Sequence, residues 1–287
     1  MASITHLIQK YILKPKKFLI IMIPVIVALA LLCVFLPRNI ADDYSIYMMQ
    51  LSLCIGFVCA LKVAQTHTTE LRNVFVFLGL FILFILLANM TTFWDILIAV
   101  FGSSPYTGLI VAGIAYVMLI ISCVNVLKIT QTKKFFVYDW VILGLMFVVS
   151  VMIVVYPLVI TTDPTLDFII SVIFRFFDVL ISLMLLPVIL LYRHQSTAES
   201  KDSITFTVTI IGIILSTTGD WMFEIVSGIS HQELSQMFHT GSILDSLYIF
   251  SYLLIAIGLY VHTRYGAWSL KNIEEGFKLR LIDQDFN

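Results

Sequence analysis

The chain has 287 residues, of which 60% are hydrophobic and only 12% charged, with a formal net charge of −1. A soluble domain of this length carries about 25% charged residues to cover its surface. The composition therefore excludes an ordinary soluble enzyme and points to an all-α integral membrane protein, with membrane lipid as its first partner and no nucleic acid among the others.

The chain opens with Lys10, Lys14, Lys16 and Lys17 ahead of a hydrophobic run. That run is too long for a signal peptide and ends at Pro37-Arg38 without a small-residue cleavage site, so it reads as the first membrane span. About 20 apolar residues suffice to cross a bilayer as a helix. Eight such spans are expected near residues 18–36, 44–64, 73–92, 106–127, 136–158, 168–192, 204–228 and 242–262. Pro24, Pro157 and Pro187 fall inside spans and should kink them locally. The short linkers predict antiparallel neighbours and leave no room for an inserted soluble domain. Residues 1–265 form the polytopic domain and 266–287 a tail.

Lys and Arg orient the bundle. One set of alternating loops, with the tail, carries fifteen of the 17 basic residues, whereas the opposite set carries only Arg38 and Arg175 lies within a span. Such bias over short loops places the basic set, and both termini, in the cytoplasm of a cell-membrane protein. Trp94, Trp140, Trp221 and Trp268 fall near span ends, as interfacial aromatics do. The tail sets Leu270, Ile273, Phe277, Leu281 and Ile282 at spacings that suggest a short amphipathic helix. It would lie on the inner leaflet or dock on a cytoplasmic or membrane protein partner.

A weak internal repeat is also visible. Leu61-Lys-Val-Ala-Gln-Thr-His-Thr-Thr-Glu parallels Leu191-Tyr-Arg-His-Gln-Ser-Thr-Ala-Glu-Ser. The next spans reach Thr91-Thr92 with Trp94-Asp95, and Thr217-Thr218 with Asp220-Trp221. Spans 2–4 and 6–8 would then be parallel copies, an arrangement several transporters use.

Charged groups inside spans are costly and usually face the bundle interior. Here they gather in the second half: Arg175 and Asp178 on span 6, Asp220 and Glu224 on span 7, Asp245 at the start of span 8. At about 1.5 Å per residue, Arg175 and Asp178 lie about 10 and 15 Å from the outer end, Asp220 and Glu224 about 12 and 6 Å. One cation cannot neutralise four carboxylates, so these five residues predict an outward-opening polar pocket for a small ligand or cation. The competing reading is a salt-bridge network that only fixes packing.

Other chemistry finds little support. Cys33, Cys54, Cys59 and Cys123 all lie in apolar segments without CxxC or Cys/His spacing, and read as core residues. His231 and His239 sit beside Glu224 and Asp245, but no HExxH or close His pair accompanies them, so no metal or other cofactor is expected. Ser227, Ser230 and Ser242 lack a GxSxG elbow and suit helix caps, which disfavours an intramembrane hydrolase and an enzyme generally.

Three segments carry a family resemblance: Arg175-Phe-Phe-Asp-Val-Leu, Gly219-Asp-Trp-Met-Phe-Glu, and Gly241-Ser-Ile-Leu-Asp-Ser-Leu-Tyr-Ile-Phe-Ser-Tyr-Leu-Leu-Ile-Ala. They resemble the multi-pass membrane input regions that precede some bacterial diguanylate cyclases and histidine kinases. The resemblance covers about a third of the chain and implies a sensing bundle with Asp178, Asp220 and Asp245 at matching positions. The pattern departs in lacking a GGDEF or kinase domain. The expectation is a sensor-like or accessory membrane subunit, with a small-solute or ion-coupled secondary transporter as the alternative.

Overall fold

The computed structural model describes residues 15–67, 69–90, 98–99, 106–130, 137–160, 166–195, 201–228 and 242–266; within these, the side chains at many helix ends, that of Glu224 among them, lie outside the description. Each predicted stretch contains a helix: α1 Pro15–Phe35, α2 Arg38–Thr66, α3 Thr69–Ala88, α4 Tyr106–Thr130, α5 Val137–Ile160, α6 Leu166–Gln195, α7 Lys201–Gly228 and α8 Ile243–Val261. A π-helical turn, His262–Gly266, continues α8. Strands are absent among the described residues. Six helices (α1, α2, α3, α4, α6 and α8) are long and apolar enough over their described residues to cross a membrane. The chain is therefore a multi-pass membrane protein. In hydrocarbon each backbone N–H and C=O must be satisfied within its own segment, which leaves the helix as the only open form.

Helix α2 begins about a turn before the apolar run that announces it, at Arg38 rather than near residue 44. Hydropathy registers only its apolar part, whereas Arg38-Asn-Ile-Ala-Asp-Asp is polar enough to be helical outside hydrocarbon. Helices α1 and α6 run on through Pro24 and Pro187.

Contacts fix the helix directions. Gly56 of α2 approaches Ala256 of α8 and Ile82 of α3, and Ala60 lies against Gly79. His67, after α2, meets His262 after α8 and stacks on Phe75 near the start of α3. Thus α2 and α8 run in parallel and α3 runs opposite to both. The same reasoning sets α4 against α3, through the hydroxyl of Ser122 on the carbonyl of Val74, and α7 against α6, through Ser182 and Thr217. Phe18 near the start of α1 lies 5.9 Å from Tyr260 near the end of α8. The chain thus enters and leaves the described bundle at one end.

Helices α2, α3, α4, α6, α7 and α8 form a closed ring in that order, α8 returning to α2. Helix α1 lies outside the ring against α8 and α2, and α5 lies outside against α6. Small residues permit the tight crossings that van der Waals packing demands in lipid. A Cβ on Gly212 of α7 would come within 2.8 Å of the Ser251 carbonyl oxygen and of Ile255 Cγ1 on α8. The ring interior is filled by Leu53, Phe81, Ile82, Leu119, Ile181, Leu185, Ile213 and Ile255, all buried.

Candidate functional site in the helix ring

Toward the end of the bundle where α7 stops and α8 starts, four ring helices converge on a chain of side-chain hydrogen bonds. The Tyr248 hydroxyl of α8 donates to Asp220 Oδ1 of α7 at 2.6 Å. The Tyr116 hydroxyl of α4 lies 2.6 Å from Asp178 Oδ1 of α6 and 3.1 Å from Asp220 Oδ2. A phenol has one proton, so the shorter contact to Asp178 is its principal bond and the longer one to Asp220 is secondary. Distances of 2.6 Å are those of charge-assisted O–H···O bonds. Asp178 is 1% exposed, while Asp220 is half-buried and faces open space.

That space is a partly open cleft of about 260 Å³ along the ring axis. Its polar groups are Asp178, Asp220, Tyr116, Tyr252, Ser216 and Thr217; the rest of its wall includes Phe81, Phe174, Leu119 and Ile213. The rings are organised among themselves. Phe174 meets Tyr116 edge-on at 5.4 Å between centroids, Phe177 stacks on Tyr116 at 5.9 Å, and Tyr248 stacks on Tyr252 at 6.2 Å. Among the described lining residues there is no lysine, arginine, histidine or side-chain amide. The wall therefore offers carboxylate and hydroxyl oxygens and aromatic faces, and no donor set suited to an anion. No group of three His, Cys, Asp or Glu that would hold a metal ion occurs among the described residues.

Of the five residues expected to share a pocket, Asp178 and Asp220 line this one. Arg175 is half-buried on α6, three residues before Asp178, and is not part of the lining. Asp245 stands in the first turn of α8, one turn outward of Tyr248, within electrostatic range of Cys33 on α1. The side chain of Glu224 lies outside the description, as do His231, His239, the Thr91-Thr92 and Trp94-Asp95 pairs, and residues 267–287. Ser242 is the N-cap of α8, its hydroxyl accepting from the Leu244 N–H. Cys33 packs at 2.9 Å from the Ser246 hydroxyl, and Cys59 and Cys123 are buried, whereas Cys54, expected in the core, is exposed on α2.

The tyrosines were missed. Their signal in sequence is modest: Tyr248 and Tyr252 stand one helical turn apart on the face of span 8 that also carries Asp245, and Tyr116 stands alone in an apolar span. Comparison with known protein families, curated proteins and solved structures finds no match. Function has to be argued from the site itself.

Proposed function

We propose that the chain is a sensor-like or accessory subunit of the cell membrane whose axial cleft binds a small organic cation. All eight helices span, both termini are cytoplasmic, and the cleft opens outward. Residues 266–287 engage a cytoplasmic or membrane protein partner. One observation carries the ligand reading: two tyrosine hydroxyls hold Asp178 and Asp220 at the wall of a cavity whose other lining, Ser216 and Thr217 apart, is aromatic and aliphatic. At about 260 Å³ the cleft stands near the lower end of the about 300–1,000 Å³ usual for ligand sites with a few convergent polar groups, a size that suits a small cation. An ammonium group near a carboxylate and over ring faces gains about 0.5–2 kcal/mol per aromatic contact. Calcium and magnesium bind through about six or more oxygens, with carboxylates the main protein ligands, and this wall has two carboxylates. The outward direction is supported by the basic bias of the loops. The input-region resemblance, in which Asp178 and Asp220 match, supports sensing.

The test is binding to the purified chain in lipid nanodiscs. Tetramethylammonium and a primary alkylamine should raise its thermal midpoint, and an isosteric neutral alcohol should not. Asp220→Asn should weaken amine binding about tenfold or more, the loss of one charge-assisted contact. Equal binding of the alcohol, or an unchanged affinity in Asp220→Asn, overturns the reading.

A second reading, small-solute or ion-coupled transport, is favoured by the ring itself. Its order places α2–α3–α4 and α6–α7–α8 as two runs of consecutive neighbours joined at α4–α6 and α8–α2. This arrangement is consistent with parallel repeats about an axis along the membrane normal. Accumulation of labelled alkylamine in proteoliposomes under a proton or sodium gradient would select transport over sensing.

A further inference from the structure

We propose that the ring interior is a proton path, running from the Tyr–Asp chain to a histidine pair at the opposite end and closed by one apolar layer, Leu119 and Ile213. At that far end His67 Nε2 and His262 Nε2 stand 2.9 Å apart, so one imidazole donates to the other. His262 is 5% exposed, and the Phe75 ring packs on both, with centroids 5.7 and 5.0 Å away. His262 also lines a second, small cavity of about 20 Å³, room for about one water, together with Ser122 and Thr209. The two cavities have Leu119 and Ile213 in common. These two side chains face both cavities.

Polar side chains follow the same axis on both sides of the layer. Ser182 lies one turn along α6 from Asp178, and its hydroxyl is 3.3 Å from that of Thr217 on α7. On α7, Asp220, Thr217, Ser216 and Thr209 share the inward face at helical spacing, and the hydroxyl residues Ser122, Ser182, Thr209, Ser216 and Thr217 are all buried. From Tyr248 to His262 the stack covers about 21 Å of helix axis, against a hydrocarbon core of about 30 Å. Hydroxyl, carboxyl and imidazole groups each both donate and accept, which is what a proton relay requires, and Asp/Glu/His chains within spans mark such relays. The described charged groups near the histidines on α2, α3, α4 and after α8 are Lys62, Arg72, Lys128 and Arg264, all exposed. The side chains of Glu70, Arg193, His194, Lys201 and Asp202 lie outside the description.

The step moves one proton and no electrons. An O–H bond of a protonated Asp220 or Asp178 carboxyl breaks as the next hydroxyl or a threaded water takes the proton. The relay ends with an N–H bond on the His262 imidazole, and His67 releases a proton at the far side. Water crosses the Leu119–Ile213 layer only when that layer wets, as apolar constrictions gate by dewetting. The path does not depend on what the cleft binds: amine binding without proton flux would sink this proposal alone, and flux without amine binding the other alone.

The test uses the full chain in liposomes loaded with a pH-reporting dye, driven by a valinomycin potassium potential. Leu119→Ala, which thins the layer, should conduct protons at least about tenfold above protein-free vesicles. In that background His262→Gln should bring flux back to the protein-free level, whereas Val148→Ala on the outward side of α5 should not. Folding of each variant is checked by helical circular dichroism and a monodisperse elution profile. A folded Leu119→Ala chain no more permeable than empty vesicles overturns the proposal, and so does undiminished flux after His262→Gln.

Discussion

Removing the Tyr116 hydroxyl should loosen the bundle measurably while keeping its shape. Tyr116→Phe retains the ring and its edge-on contact with Phe174 at 5.4 Å, and deletes only the oxygen that lies 2.6 Å from Asp178 and 3.1 Å from Asp220. A hydrogen bond to a charged group is worth about 1.5–3 kcal/mol in soluble proteins. Interhelical bonds in membrane bundles average about 0.6 kcal/mol and reach about 1.7, because helices separated in lipid find other partners. Asp178 is 1% exposed, so water is poorly placed to replace the lost donor, and the upper part of the membrane range applies. The expected cost is about 1–2 kcal/mol. Tyr248→Phe removes one equally short bond, but from half-buried Asp220, which faces the open cleft. Water can substitute there, and the cost should stay below about 1 kcal/mol. Reversible unfolding in mixed micelles measures both, and a double-mutant cycle of Tyr116→Phe with Asp178→Asn isolates their coupling. Equal stability of Tyr116→Phe and the unmodified chain, or a larger loss for Tyr248→Phe, would refute the ranking by burial.

Gly212→Ala should destabilise by about 1–3 kcal/mol, because its Cβ meets the Ser251 carbonyl and the Ile255 backbone N, neither of which can swing aside. Gly113→Ala, with nothing within 4 Å of its Cβ, should instead be neutral or gain up to about 1 kcal/mol from helix propensity; the same unfolding titration compares the two. A fluorescent protein fused after Asn287 should mature in the cytoplasm, and alkaline phosphatase fused within residues 229–241 should be active outside. The reverse pattern would invert the bundle and with it the proposed ligand access.

Much of this fold is readable in the sequence for one physical reason: lipid forbids unsatisfied backbone, so a long apolar run has a single solution. The six helices apolar enough to span coincide with predicted stretches, and ends differ where polar residues such as Arg38 and Asp43 extend a helix beyond its apolar part. Depth was readable too. Counting residues from span ends put Asp178 and Asp220 about 15 and 12 Å from the outer end, and the structure joins them through Tyr116. Azimuth was not. Depth cannot say that Arg175, one turn from Asp178, is left out of the lining, or that Tyr116 of another helix reaches the gap between two carboxylates. The histidine pair escaped for a related reason: His67 and His262 are 195 residues apart and each ends a different span. Only the parallel course of α2 and α8 brings them together.

Hydropathy also fails to say which helices face the ring axis, because lipid is as apolar as a protein core. Helix α5 has a sequence as hydrophobic as any, yet Val141, Leu145, Phe147, Val148, Met152 and Val159 are exposed and the helix packs on the ring chiefly through α6. What distinguishes the ring helices is the residues that would be wasteful against lipid. Gly56, Ala60, Gly79, Gly212 and Ala256 mark where backbones approach. Buried Ser122, Asp178, Ser182, Thr209, Ser216 and Thr217 mark the axis. A helix facing only hydrocarbon gains nothing from a hydroxyl or carboxyl and loses packing with each glycine. In a chain this apolar, small and polar residues inside spans therefore carry the positional information that amphipathic periodicity carries in a soluble protein, and Asp178, Ser216 and Thr217 among them line the cleft.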